Sequence, residues 1–169
     1  MDFKMRTRVG LSLAIFPGLA FISGIWFLHS TGRMPGLSAS SIPWELWCIA
    51  VFGTTALMAS LGDWGYHTFV LQGKVSPAED KVELLALGFG GLPMFILMAL
   101  ASLSYHPQSY LVSIAAVLIF TVVMICKDEF MFHTRRCKAF ENWLHKIIVF
   151  GNGIAWLSWF HWIFVRVRA

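Results

Sequence analysis

The 169-residue sequence predicts an all-α integral-membrane fold of five transmembrane helices, in which helices 2–5 form a four-helix bundle made of two repeated helical hairpins. Three observations predict it. The chain is 57% hydrophobic and only 13% charged, with a mean hydropathy of +0.68, where a soluble domain carries about 25% charge. Five apolar runs reach the roughly 20 residues that cross a bilayer as a helix. An acid–histidine pattern also occurs twice along the chain, at helix ends. This composition excludes a soluble enzyme, a disordered tail, a coiled coil and a disulfide scaffold. It leaves one transmembrane domain over 1–169, with helix 1 accessory and hairpins over 44–104 and 109–165.

The five spans fall at 9–29, 44–71, 83–104, 109–133 and 142–165. Lys4, Arg6 and Arg8 before the first resemble the basic start of a signal peptide. Its apolar run is longer than a signal core, however, and no small-x-small cleavage site follows. Helix 1 is therefore expected to be retained, and to break or bend near Pro17-Gly18. Helices 2 and 4 are long enough to project beyond the hydrocarbon. Ser76-Pro77-Ala78-Glu79 is a capping box with proline at the first helical position, which opens helix 3. Within helix 3, Gly88, Gly90 and Gly91 admit a close neighbour, and Pro93 predicts a kink. Gly151 and Gly153 occupy the matching depth in helix 5.

Lysine and arginine fix the orientation. Lys4, Arg6 and Arg8 precede helix 1; Lys74 and Lys81 lie between helices 2 and 3; Lys127, Arg135, Arg136, Lys138 and Lys146 lie around the turn from helix 4 to helix 5. The opposite loops hold only Arg33. The N-terminus and the two basic loops are thus cytoplasmic, as in a bacterial inner membrane, with Arg166 and Arg168 discordant on the outer side. Trp26, Trp44, Trp47, Trp159 and Trp162 fall at the outer boundary as an aromatic belt. The pI of about 9.2 reads as positive-inside bias, with no nucleic-acid partner implied. The three cysteines, Cys48, Cys126 and Cys137, form no C-x-x-C pair and suit a reducing compartment.

The repeat carries the chemistry. Helix 2 ends Asp63-Trp-Gly-Tyr-His67-Thr68, and helix 4 ends Glu129-Phe-Met-Phe-His133-Thr134. Each is followed by a basic loop and an acidic helix start: Glu79-Asp80-Lys81-Val82-Glu83 in one half, Glu141-Asn142-Trp143-Leu144-His145 in the other. The halves are offset by 66 residues from Asp63 to Glu129 and by 62 from Glu79 to Glu141. Of the nine acids, all but Asp2 and Glu45 lie between 63 and 141. A spacing of i, i+4 puts acid and histidine on one helical face. Antiparallel helices therefore bring Asp63, His67, Glu83, Glu129, His133, Glu141 and His145 to one end of the bundle.

Carboxylates mixed with imidazoles on facing helices are the ligand set of dinuclear iron or manganese sites in bundles, although those use Glu-x-x-His and the spacing here is one longer. Acids gathered near a low-dielectric interior repel one another unless cations neutralise them. Oxygen and nitrogen donors suit two Fe ions, with Mn or Zn as variants. Glu79 is accounted for by capping, Asp80 and Lys81 by solvation, and Asp128 by pairing with a basic loop residue, which leaves it a secondary ligand candidate. His29, His106 and His161 lie toward the outer face, His161 as an interface anchor. Met94, Phe95 and Met98 read as packing residues.

The run Lys127–His145, with Asp63-x3-His67 upstream, resembles small bacterial integral-membrane proteins of unassigned function that carry similar acid/His helices. The resemblance spans helices 2–5 loosely and implies no activity. The histidine boxes of membrane desaturases and alkane hydroxylases are missing, so only their class of chemistry carries over: O2 activation at a non-haem dinuclear centre. The expected function is a metal-dependent oxidoreductase acting on a lipophilic substrate at the cytoplasmic leaflet. With no nucleotide-binding motif, its electrons come from a donor protein. Three alternatives stand beside it: a b-type haem protein using His67 and His133, a metal or proton transporter, and a non-enzymatic small subunit of a membrane complex. The bundle closes either within one chain or across a homo-oligomer.

Overall fold

The computed structural model describes residues 3–30, 42–70, 81–82, 84–133 and 139–166, without the side chains of 3–8, 10, 13–14, 28–29 and 132–133. Those residues are helical throughout apart from short connections, with no strand among them. Helix α1 spans Phe3–Ser30 and α2 spans Trp44–Gly65, continuing as a π-helical turn over Tyr66–Val70. Helix α3 is α-helical at 81–82 and 84–85, passes through a π-helical stretch, Ala86–Gly91, and runs as α-helix over Leu92–Leu103. A 3-10 turn, Pro107–Tyr110, leads into α4 (Leu111–Asp128), which ends in a third π-helical turn, Glu129–His133. Helix α5 spans Ala139–Phe164.

Four of these are long and apolar enough to cross a membrane: Trp44–Val70, Ala86–Leu103, Pro107–Met131 and Ala139–Phe164. The first helix contributes a shorter apolar segment, Ile15–Phe27. Contrary to the expected break, α1 is one continuous helix with Pro17 inside it. Proline removes a single N–H from the ladder, which an apolar helix with packed neighbours tolerates.

The core lies toward one end of the bundle. Phe21 of α1 meets Phe95 of α3 and Trp159 of α5 edge to face, and Phe95 and Trp159 are tilted against each other, with ring centroids 5.0–6.0 Å apart. Met98 and Trp162 are fully buried beside them. Trp159 and Trp162 are therefore core residues, whereas Trp26, Trp44 and Trp47 are exposed as belt residues should be. An apolar helix end facing its neighbours buries its largest side chains regardless of depth, which the belt rule ignores. Trp159 Nε1 donates to Ser102 Oγ at 3.0 Å, so its polar edge is satisfied inside. In the same half an apolar cavity of about 590 Å³ opens between α1, α2, α3 and α5, walled by Phe16, Ile49, Phe95 and Trp159.

Small residues set two helix–helix spacings. A Cβ on Gly151 of α5 would stand 3.0 Å from Phe52 O and from Ala56 Cβ of α2, and one on Gly90 would stand 2.5 Å from Thr121 Oγ1 of α4. Gly88 and Gly153 face open space. Close backbone approach thus joins α2 to α5 and α3 to α4.

Candidate metal centre

Away from the aromatic core, α2 and α5 present their acids and histidines to each other. Asp63 sits in the last α-helical turn of α2, and the change to π-helix at Tyr66 carries His67. The i→i+5 pattern widens the turn and re-aims the side chains that follow, and single π turns recur at functional sites. The same change occurs on α4 at Glu129. Glu141 lies in the first turn of α5, where the unpaired N–H groups and the helix dipole favour an anion. His145 follows one turn later.

His67 Nε2 stands 3.1 Å from Glu141 Oε1 and 3.7 Å from Asp63 Oδ1. His145 Nε2 stands 3.4 Å from Asp63 Oδ1, and its Nδ1 is 3.7 Å from Glu129 Oε1. Asp63, His67 and His145 each place a ligand atom within 4.8 Å of the other two. Glu141 is only 3% exposed. Asp63 Oδ1, His67 Nε2, Glu129 Oε1 and Glu141 Oε1 are inaccessible to solvent, yet none makes a hydrogen bond among the described residues. No lysine or arginine among those residues pairs with Asp63, Glu129 or Glu141.

Buried polar atoms normally have partners. Here they are near one another without the alignment of a hydrogen bond. Two donors each about 2.1 Å from a shared cation stand about 3.0–3.4 Å apart at octahedral or tetrahedral angles. The observed spacings fall at and slightly beyond that range, as expected of donors around a cation-sized gap.

Of the seven expected ligands, Asp63, His67, Glu141 and His145 come together on α2 and α5. Glu129 approaches the other nitrogen of His145. Glu83 lies outside the described residues, as does the side chain of His133. Cys137, Glu79 and Asp80 are outside them too. Asp128, the secondary candidate, is buried at the end of α4.

One charged residue escaped sequence reasoning. Glu45, in the first turn of α2, is completely buried; its Oε1 accepts from Arg166 Nε at 2.8 Å and lies 2.8 Å from His161 Nδ1. The signal was present as two oddities, an isolated acid and an outer-side arginine. They are partners, so Arg166 balances a buried acid of its own chain.

Comparison with known protein families, with characterised proteins and with solved structures finds no match to this chain. The site therefore has to be interpreted from its own chemistry.

Proposed function

We propose that this chain is a multi-pass membrane metalloprotein whose acid/His end holds a divalent cation and serves a redox reaction. The observation that carries the reading is the convergence of Asp63, His67 and His145 within 4.8 Å. Two histidines and one carboxylate, with positions left open, are the ligand set of non-haem Fe(II) oxygenases. Glu141 offers a fourth donor. A second cation, as in a dinuclear iron, manganese or zinc centre, would draw on Glu83 and His133. The recurrence of the π turn and the glycine contact in both halves supports two repeated hairpins.

The proposed reaction class is O2-dependent hydroxylation or desaturation of a lipophilic substrate. In the hydroxylation, R–H, O2, two electrons and two protons give R–OH and water, and the electrons come from a donor protein. The positive-inside bias supports a location of this end at the cytoplasmic face, as in a bacterial inner membrane. Exposed Phe69, Phe130, Phe140 and Trp143 surround the same end, where a lipophilic substrate is met from the leaflet. The apolar cavity is too distant for that role: Ile49 in its wall is 14 residues from Asp63 along α2, about 21 Å.

Haem held by His67 and His133 fits less well, because Glu141 Oε1 and Asp63 Oδ1 stand 3.1 and 3.7 Å from His67 Nε2, where the macrocycle would lie. Transport fits less well too. Between the two polar ends, the buried hydroxyls of Thr121 and Ser158 are spent on their own helices, donating to Val117 O and Ile154 O.

Elemental analysis of the purified, detergent-solubilised protein tests the reading. Near-stoichiometric Fe, Mn or Zn is expected in the wild type, with loss in His67→Ala and His145→Ala variants that remain folded and monodisperse. Metal at trace level in the wild type, or unchanged in both variants, overturns it. A Soret band would move the assignment to haem.

A further inference from the structure

We infer that Glu129 is a positioning residue that fixes the proton of His145 on Nδ1 and so directs its Nε2 lone pair at the cation, an inference that rests on the metal-centre reading above. The His145 ring lies between two helices. Its Nε2 faces Asp63 of α2 at 3.4 Å, and its Nδ1 faces Glu129 of α4 at 3.7 Å. The two nitrogens of an imidazole point in divergent directions across the ring. A group placed at Nδ1 therefore does not share a cation held at Nε2. Glu129 is correspondingly absent from the three-residue ligand group of Asp63, His67 and His145.

A neutral imidazole that gives its Nε2 lone pair to a cation carries its one proton on Nδ1. That N–H then meets Glu129 Oε1, a buried oxygen with no hydrogen bond of its own among the described residues. Closing from 3.7 Å to a charge-assisted hydrogen bond needs a side-chain shift of about 1 Å. The result is a carboxylate–histidine–metal relay of the kind that locks the tautomer, holds the ring and strengthens the nitrogen as a donor. The internal repeat sharpens the point. Glu129 stands where Asp63 stands in the first half, yet Asp63 faces the ligating nitrogen and Glu129 the opposite one. The same position has become a ligand in one hairpin and a support in the other.

The test is titration of Co2+ alone into the metal-free, full-length protein in detergent, following the Co2+ absorption bands and the heat of binding. Glu129→Ala is expected to keep the stoichiometry and band positions of the wild type while weakening affinity roughly 10–100-fold. Glu129→Gln, whose amide oxygen still accepts from Nδ1–H, is expected to recover most of that loss. Asp63→Asn, a change of ligand, is expected to shift the bands or abolish binding. Shifted bands or a lost cation in Glu129→Ala make Glu129 a ligand and overturn the inference. Unchanged affinity overturns it as well. Failure of the wild type to bind Co2+ removes the metal-centre reading itself, an outcome distinct from either.

Discussion

Helices α2 and α5 meet acid to base at both of their ends, and the two contacts are built differently. At one end Glu45 Oε1 is held at 2.8 Å by Arg166 Nε and lies 2.8 Å from His161 Nδ1, with the Trp44 ring against the imidazole at 5.2 Å. At the other, Asp63, Glu141, His67 and His145 sit 3.1–3.7 Å apart with no hydrogen bond from Asp63 Oδ1, Glu141 Oε1 or His67 Nε2 among the described residues. The first end has a permanent cation of its own, because a guanidinium stays charged at any physiological pH. The second, among the described residues, has only imidazoles. A buried carboxylate tied to arginine is complete in charge, although Glu45 Oε2 makes no hydrogen bond among the described residues, whereas carboxylates facing histidine leave lone pairs for a cation supplied from outside. Chemistry is therefore expected at the incomplete end and structural support at the complete one.

The largest effect should come from breaking the complete end. Arg166→Met leaves Glu45 charged and wholly buried with His161 as its remaining partner. Removing one member of a buried pair costs about 3–5 kcal/mol. Because the Arg166 side chain is 40% exposed, about 3 kcal/mol, the lower end, is expected. Glu45→Leu combined with Arg166→Met should recover most of it. Denaturant unfolding in detergent reads both, and a single variant as stable as the wild type would remove the contrast between the ends.

The incomplete end should respond to added cation instead. A ligand that binds only the folded state stabilises it by about 2.7 kcal/mol at 100 times its Kd. Fe2+ or Zn2+ is expected to raise the unfolding midpoint of the wild type and of Arg166→Met alike, and chelator to reverse the gain. A gain that survives in His67→Ala would place the cation elsewhere.

Charge removal should then change sign between the ends. In metal-free protein, Asp63→Asn removes one of the three carboxylates, Asp63, Glu129 and Glu141, gathered around the same two imidazoles and is expected to stabilise by about 1 kcal/mol, on the scale of a single group's desolvation. It abolishes the cation-dependent gain at the same time. Stability won by loss of function marks a functional site. Destabilisation by Asp63→Asn without any metal dependence would mean that protons, and not a cation, hold this network together.

How much of this was legible beforehand follows from the physics of each signal. The long apolar helices α2 to α5 were readable to within about three residues, because length and hydropathy alone mark a helix able to cross a membrane. The i, i+4 spacing placed Asp63, His67, Glu141 and His145 at one end, since helix periodicity does not depend on tertiary context. What the spacing did not carry is which nitrogen faces which acid. That depends on the π turns at Tyr66 and Glu129, which propensity does not encode. Glu45 was missed for a related reason: its partner lies 121 residues away. Trp159 and Trp162 were misplaced because depth in the bilayer does not distinguish a lipid-facing side chain from a buried one.

The smallest expected effect tests whether the two ends are rigidly joined. Gly151 lies between them on α5, where a Cβ would come within 3.0 Å of Phe52 O and of Ala56 Cβ on α2. The backbone oxygen does not yield as a flexible side chain would, so Gly151→Ala must push α5 away from α2. Overpacking of this kind costs about 1–3 kcal/mol. The gain of about 0.5–1 kcal/mol for replacing glycine inside a helix offsets part of it. A net loss of about 1 kcal/mol is expected. Gly153→Ala, with nothing within 4 Å, keeps only the gain. If α2 and α5 act as one rigid pair, Gly151→Ala also spreads Asp63 and His67 from Glu141 and His145. Cation affinity should then fall several-fold in Gly151→Ala and stay unchanged in Gly153→Ala. Equal affinity in both would show that the π turns absorb the displacement, leaving the metal end adjustable even where the packed end is not.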